Sequence, residues 1–365
     1  MVKIGIIAEY NPLHNGHVYH FNKIKEMYPN SLTIGILSSE FSQRGELCTF
    51  NKFDRTKLAL DMGIDIVLSN PVLTSMQMAS TFAYTNVYFL NMLKVDKIVI
   101  GSETDSIEYL KTLLKVMKTK EFDEKMNSFH ESGYSYKLAY TKSFTDMGYE
   151  IKSNDMLAIF YLEAINMVNP KIELETIKRV EANYLDNIQN PSNIQSAFFL
   201  RDQAIIKDYV PSYTNQLFEK KGYRDQNLLT SFIQYRSLEF DSKLAEDTEG
   251  ISNKFKELYK YDSYNSMLEF LKSKRYSLSK IRRLLVSMLL DLPNKKYKMD
   301  FVRVLGFNQK GQDYLKKLKK DITIYTNIKE GLNPILDVEL KISKILDVIY
   351  KENLILLEQK GPIIL

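Results

Sequence analysis

Tryptophan is absent from this chain of 365 residues, cysteine occurs once, at Cys48, and histidine only four times. A single cysteine excludes an intramolecular disulfide framework and any zinc cluster built on thiolates. It also fits a reducing compartment. No uninterrupted apolar run approaches the roughly 18 residues that a membrane helix needs. The opening stretch MVKIGIIAEYNP is apolar only as far as Glu9, and no small-residue cleavage site follows, so it does not read as a signal peptide. The expectation is a soluble cytoplasmic protein with no membrane partner.

What is present suits a globular enzyme-sized chain. Its 44% hydrophobic and 26% charged content speaks against disorder and allows a substantial core. The length favours two domains. Net charge is only +5, but it is unevenly placed. Residues 272–320 hold 15 Lys and Arg against three acids (Asp291, Asp300 and Asp313), leaving 35 basic and 42 acidic residues elsewhere. Such asymmetry points to an anionic partner, nucleic acid first, or to a solvated helical face.

Val2 to Ala8 is apolar and β-branched, the pattern of a buried parallel strand. A loop runs from Glu9 to Gly16, and a helix is expected from about His17 to Met27. Further strands are expected at Leu32–Leu37, Asp65–Leu68, Lys97–Ile100 and Ile172–Arg179, alternating with helices at Phe53–Met62 and Met76–Leu93. This alternation predicts an α/β fold, an open parallel sheet with helices on both faces. After about Tyr213 helical spacing takes over, apart from a short strand at Asp321–Thr326. We therefore expect a sheet domain over 1–210 and a mostly helical domain over 211–365, with no internal repeat.

Three of the four histidines, His14, His17 and His20, crowd into EYNPLHNGHVYH directly behind the first strand. Ligands bind parallel sheets at the carboxyl ends of the strands. Gly16 lets backbone approach a ligand, and the following helix offers unpaired N–H groups to phosphate. A metal site would need a carboxylate partner, and none stands at a suggestive spacing. On a continuous helix His20 also lies far around from His14. Three surface or core-edge histidines remain the bland alternative, and His20 fits that role best.

His14-Asn15-Gly16-His17 after a first strand resembles the HxGH signature of the nucleotidyltransferase superfamily. The flanking Glu9-Tyr10-Asn11-Pro12-Leu13, then Phe41-Ser42-Gln43-Arg44-Gly45-Glu46, Gly101-Ser102-Glu103 and Ile177-Lys178-Arg179 resemble the bacterial tRNA(Met) cytidine acetate ligase family. Lys274-Arg275-Tyr276 through Arg282-Arg283-Leu284-Leu285, and Val304-Leu305-Gly306 through Tyr314-Leu315, resemble its helical part. The resemblance implies a Rossmann-like nucleotidyltransferase sheet. It implies an ATP-dependent ligase that makes acetyl-adenylate and acetylates N4 of the wobble cytidine in elongator tRNA(Met). Alternatives are a nucleotidyltransferase acting on a small metabolite and an inactive nucleotide- or RNA-binding relative.

Carried over residue by residue, the resemblance makes His14 and His17 the catalytic phosphate contacts. The ATP loop becomes Ile7, Ala8, Glu9, Tyr10, Asn11, Pro12, Leu13, His14, Asn15, Gly16, His17, Val18, Tyr19 and His20, joined by Gly101, Asn154 and Arg179. From sequence alone, Gly101 reads equally as a turn glycine, Asn154 as a helix cap and Arg179 as a surface arginine. Arg44 is a candidate contact for acetate or phosphate, oriented by Glu46. Ser196 and Arg201 stand where the superfamily has a triphosphate-binding helix start, with Phe198 replacing a usual hydroxyl. Lys274, Arg275, Arg282, Arg283, Lys295 and Lys296 are candidate tRNA contacts. Magnesium would enter as ATP's companion, without a dedicated carboxylate cage. Departures from the family pattern fall at Ser39 (usually Gly), Leu47 (often Pro), Ser153, Asp155, Ala158 and Leu185 (usually His).

Overall fold

Strands covered on both faces need no polar side, and the strands that begin the chain are near-continuous apolar runs. In the computed structural model, which describes residues 1–179, 209–240, 244, 247, 250–292 and 299–365, five of them form a parallel sheet. They are β1 (Lys3–Ala8), β2 (Leu32–Ser38), β3 (Ile66–Asn70), β4 (Lys97–Ser102) and β5 (Glu173–Lys178). Helix α1 (Asn15–Met27) follows β1, and α2 (Lys52–Met62) precedes β3. The helix expected at Met76–Leu93 is α4 (Ala79–Met92), and a single unanticipated turn, α3 (Val72–Ser75), precedes it. Between β4 and β5 come α5 (Ile107–Met117), α6 (Lys120–Glu131), α7 (Tyr136–Asp146) and α8 (Ser153–Val168).

Local signals set several boundaries. The Asn51 side chain caps α2 by accepting from the Asp54 amide at 2.8 Å. Gly63 ends that helix in the left-handed region, φ 113°, where glycine alone carries no steric penalty.

With β6 (Phe301–Phe307) and β7 (Thr323–Tyr325) added, the strand order is β5-β4-β1-β2-β3-β6-β7. From β1 the chain winds to one side through β2 and β3, then returns to the other side with β4 and β5. The switch point therefore lies between β1 and β4.

Beyond residue 210 the chain is mostly helical. Helices occupy Ser212–Lys221, Thr230–Glu239, Tyr264–Leu271, Leu278–Leu290, Gln309–Leu318, Pro334–Tyr350 and Leu354–Gln359. The expected short strand is present as β7 (Thr323–Tyr325). Two further strands were not anticipated: β6 (Phe301–Phe307), antiparallel to β3, and β8 (Ile363–Ile364), parallel to β6. All seven residues of β6 are buried, so it lacks the alternation that marks a half-exposed strand.

A buried charge network ties these later elements to the sheet. Lys52 Nζ lies 2.5 Å from Glu358 and 3.0 Å from Glu339. Arg224 bridges Glu40 at 2.5 Å and Glu352 at 2.7 Å. Burial opposes the Lys52 charge, but the Glu358, Glu339 and Glu40 carboxylates outweigh it and raise the ammonium pKa. Removing one partner of such a set leaves a buried charge uncompensated, at about 3–5 kcal/mol. No described helix is long and apolar enough to cross a membrane.

Candidate active site

The site is built where β1 and β4 end. His14 is the N-cap of α1, and its Nδ1 accepts from the Gly16 amide at 3.1 Å. His17 reaches back, and its Nδ1 accepts from the His14 amide at 3.2 Å. The two imidazoles thus form a reciprocal capping box, a task usually given to Ser or Thr with Glu. Their rings stack with centroids 3.7 Å apart. With both Nδ1 atoms accepting, a neutral ring carries its proton on Nε2, free to donate.

Electrostatics keep the rings neutral. Burial, then the Arg179 guanidinium, lowers the His14 pKa to about 4. Burial, followed by His14, His20 and Arg179, holds His17 well below its ordinary range. His20 is lowered to about 4 by the same two causes as His14, and its Nε2 is buried without a hydrogen-bond partner. Two neutral N–H donors, a helix N-terminus and a guanidinium converge here, an arrangement suited to the oxygens of a phosphate chain.

The loop before His14 is pinned by residues that sequence reading missed. Arg55, fully buried on α2, donates Nη1 to the Glu9 carbonyl at 2.7 Å and Nε to the Phe50 carbonyl at 3.0 Å. Asn11 Oδ1 accepts from the Thr49 amide at 2.7 Å and hydroxyl at 2.9 Å. Tyr10 is held in the left-handed region at φ 45°, a costly conformation for a bulky side chain. Its ring packs edge-on against His17 at 4.9 Å. Pro12 and Leu13 are buried, whereas Asn15 and Tyr19 are exposed. Ile7, Ala8 and Val18 are half-buried hydrophobics packed on the core. Glu9 Oε1 accepts from Ser38 Oγ at 3.1 Å and the Gln43 amide at 2.5 Å, and burial raises its pKa.

The β4 edge supplies the opposite wall. The Arg179 amide donates to the Ser102 carbonyl at 2.9 Å, and its side chain lies across Gly101. A Cβ at 101 would meet Arg179 Cγ at 3.3 Å. Glycine there makes room for the arginine, so Gly101 and Arg179 act together. Asn154 is the second residue of α8, not its cap. The Glu103 carboxylate caps that helix, accepting from the Asn154 amide at 3.1 Å, Asn154 Nδ2 at 2.5 Å and the Asp155 amide at 3.1 Å. Asp155 answers by accepting from Ser102 Oγ at 2.6 Å and the Glu103 amide at 3.1 Å. Two departures from the family pattern thus have local partners. Asp155 closes this double cap, and Ser39 donates its hydroxyl to Glu339 within the buried network. Leu47 is buried and bridges Phe41, Ala158 is buried, and Ser153 is exposed.

The remaining candidates separate. Arg44 is exposed at the tip of the turn after β2. Glu46 does not orient it, because its carboxylate pairs with Arg282 instead. Gly45, at φ 76°, lies on the backbone of the Leu278–Leu290 helix, and a Cβ there would meet Arg283 N at 2.6 Å. Arg282 is thus ion-paired, and Arg283 is only 7% exposed. Lys274 and Arg275 are exposed. The basic stretch is also not one surface. Lys310 donates to the Ser31 carbonyl at 2.5 Å and Tyr314 to the Leu93 carbonyl at 2.7 Å, at the amino edge of the sheet and opposite the histidines. Leu185, Ser196, Phe198, Arg201, Lys295 and Lys296 lie outside the described residues. Among the described residues, no group of three or more His, Cys, Asp and Glu is placed to hold a metal.

A parallel sheet with this winding, carrying paired histidines at the first helix start, defines a nucleotidyltransferase-type protein. The model of the HIGH Nucleotidyl Transferase family matches residues 1–360. The tRNA(Met) cytidine acetate ligase of Fusobacterium nucleatum is 35% identical, with 90% of each chain covered. That of Thermosipho africanus is 36% identical over 89% of this chain and 84% of its own. The crystal structure of Thermotoga maritima TmcAL in its apo form aligns over both whole chains with a TM-score of 0.87 at 26% identity. The same protein bound with alpha-thio ATP aligns over both whole chains with a TM-score of 0.85. The chain belongs to the tRNA(Met) cytidine acetate ligase family of HIGH nucleotidyltransferases.

Proposed function

We propose that the protein activates acetate with ATP and transfers the acetyl group to N4 of the wobble cytidine of elongator tRNA(Met). Acetate oxygen attacks the α-phosphorus, forming acetyl-adenylate, and pyrophosphate leaves. The cytidine amine then attacks the acetyl carbonyl, the bond to AMP breaks, and the amine loses a proton. The paired neutral imidazoles of His14 and His17, next to Arg179 at the switch point, carry this reading. Their Nε2–H groups and the α1 N-terminus would meet charge on the phosphate oxygens without reorganising. Losing one such donor typically costs about 3–4 kcal/mol of transition-state stabilisation. Magnesium would arrive with ATP.

Residues 1–210 would supply the adenylation chemistry and 211–365 contacts to the body of the tRNA, a division of labour rather than of sheets, since β6–β8 join the first part. Arg44 at the mouth would meet an anion. An anticodon loop presents unstacked bases that can be splayed into a pocket. The test is mass spectrometry of tRNA nucleosides after incubation with ATP and acetate. N4-acetylcytidine that requires both reagents is expected. Its absence, with ATP bound, would overturn the assignment.

A further inference from the structure

Aromatic and basic side chains gather where the α6–α7 turn meets the connection at 272–278. Tyr134, in the turn, stacks under the Lys274 ammonium at 4.1 Å. Tyr136 opens α7 and is 53% exposed, with its ring 5.3 Å from the Tyr140 ring. Tyr140 is buried against Phe122 and Phe144, so the exposed ring rests on a fixed aromatic base. Lys137 follows and is exposed.

Arg44 approaches from the other side. Its turn is anchored to the ATP loop through the Gln43 amide and Glu9, and to the 278–290 helix through Gly45. That helix begins shortly after Lys274. Among the described residues neither Arg44 nor Lys137 has a carboxylate within ion-pairing distance. Crowding by the protein, then the Arg44 guanidinium, lowers the Lys137 pKa, as expected of neighbouring like charges.

We infer that Tyr136, Lys137 and Arg44, flanked by Tyr134, Lys274 and Arg275, form the surface that receives the single-stranded segment of tRNA around the target cytidine. The cations track backbone phosphates and the tyrosine face stacks a base. Interleaved cations and aromatic faces suit exposed bases on a charged backbone, and each stacked base is worth a substantial share of binding. An acidic peptide would use the cations but has no base to stack on Tyr136. Lys310, by contrast, lies at the opposite, amino edge of the sheet, where it donates to the Ser31 carbonyl.

This inference rests on the proposed function for the identity of the RNA, and the test separates the two. Full-length Lys137→Glu, Lys137→Arg and Tyr136→Ala are compared with Lys317→Glu, the same charge change on the Gln309–Leu318 helix. Equilibrium binding to elongator tRNA(Met) is measured across salt, alongside acetate-dependent ATP–pyrophosphate exchange without tRNA. We expect Lys137→Glu to weaken tRNA about tenfold and to flatten the salt slope by about one, with Lys137→Arg near wild type. Tyr136→Ala should weaken binding about tenfold with the slope kept. Lys317→Glu should change neither. Unaltered affinity and slope in Lys137→Glu, or equal losses in Lys317→Glu, would overturn the inference. So would loss of exchange in Lys137→Glu and Tyr136→Ala, which would place these residues in the ATP site. These effects in the variants, with a wild type that makes no acetylcytidine, would overturn the proposed function while supporting the surface.

Discussion

Gly101→Ala isolates the Arg179 contact without removing a charged group. Position 101 lies in β4 with no left-handed backbone requirement, so alanine meets no conformational penalty there. The new Cβ would sit 3.3 Å from Arg179 Cγ and 3.7 Å from Nη1. The Cγ distance is closer than ordinary van der Waals contact, so the arginine stem must move by a few tenths of an ångström. The stem is flexible, so the fold should survive with its Tm nearly unchanged. The guanidinium, however, would swing off its line to the histidines. Hydrogen bonds to charged partners are worth about 1.5–3 kcal/mol. Losing about half of one such interaction predicts a roughly four- to twelvefold fall in kcat/KM for ATP. Acetate-dependent ATP–pyrophosphate exchange reads this, with Arg179→Ala setting the lower limit of activity. Full exchange in Arg179→Ala would refute the role of this arginine. Full exchange in Gly101→Ala alone would show that the glycine does not set its position.

Two further outcomes follow from the same geometry. His14 has its pKa lowered to about 4 from an ordinary 6.5, so between these values the unfolded chain binds more protons than the folded one. Folding stability should then fall as pH drops from 6.5 to 4, by up to about 3 kcal/mol from this group. His14→Asn, which keeps a capping oxygen, should flatten the fall seen in urea titrations, and an unchanged slope would contradict the half-buried neutral ring. Gly45→Ala places a side chain at φ 76° and 2.6 Å from Arg283 N. It should cost about 2–4 kcal/mol and lower Tm by several degrees, whereas a wild-type melting curve would mean that the turn does not rest on that helix.

The first half of the sheet was legible because its strands are unbroken apolar runs between turn residues, and the histidine loop because it directly follows one. Helix α1 begins two residues earlier than its periodicity suggests, since the capping groups are imidazoles rather than a Ser or Asp. Strand β6 escaped because Arg303 interrupts its apolar run while being buried against Glu358. Its period gives no hint of that distant partner. The pairing of Glu103 with α8, the reach of Arg55 to Glu9 and the bond from Glu46 to Arg282 are contacts between segments far apart in sequence, which spacing cannot encode. Charge counting met the same limit. The lysines and arginines between 272 and 320 are neighbours in the chain, yet the fold sends Lys274 over the Tyr134 ring, Arg283 into the interior and Lys310 to the amino edge of the sheet.

The most direct measurement is a crystal structure of this protein with a non-hydrolysable ATP analogue. Phosphate oxygens should lie within hydrogen-bonding reach of Nε2 of His14 and His17 at the start of α1, with Arg179 on the same phosphate chain. Phosphates bound away from both imidazoles, with the turn between β1 and α1 holding only solvent, would contradict the account.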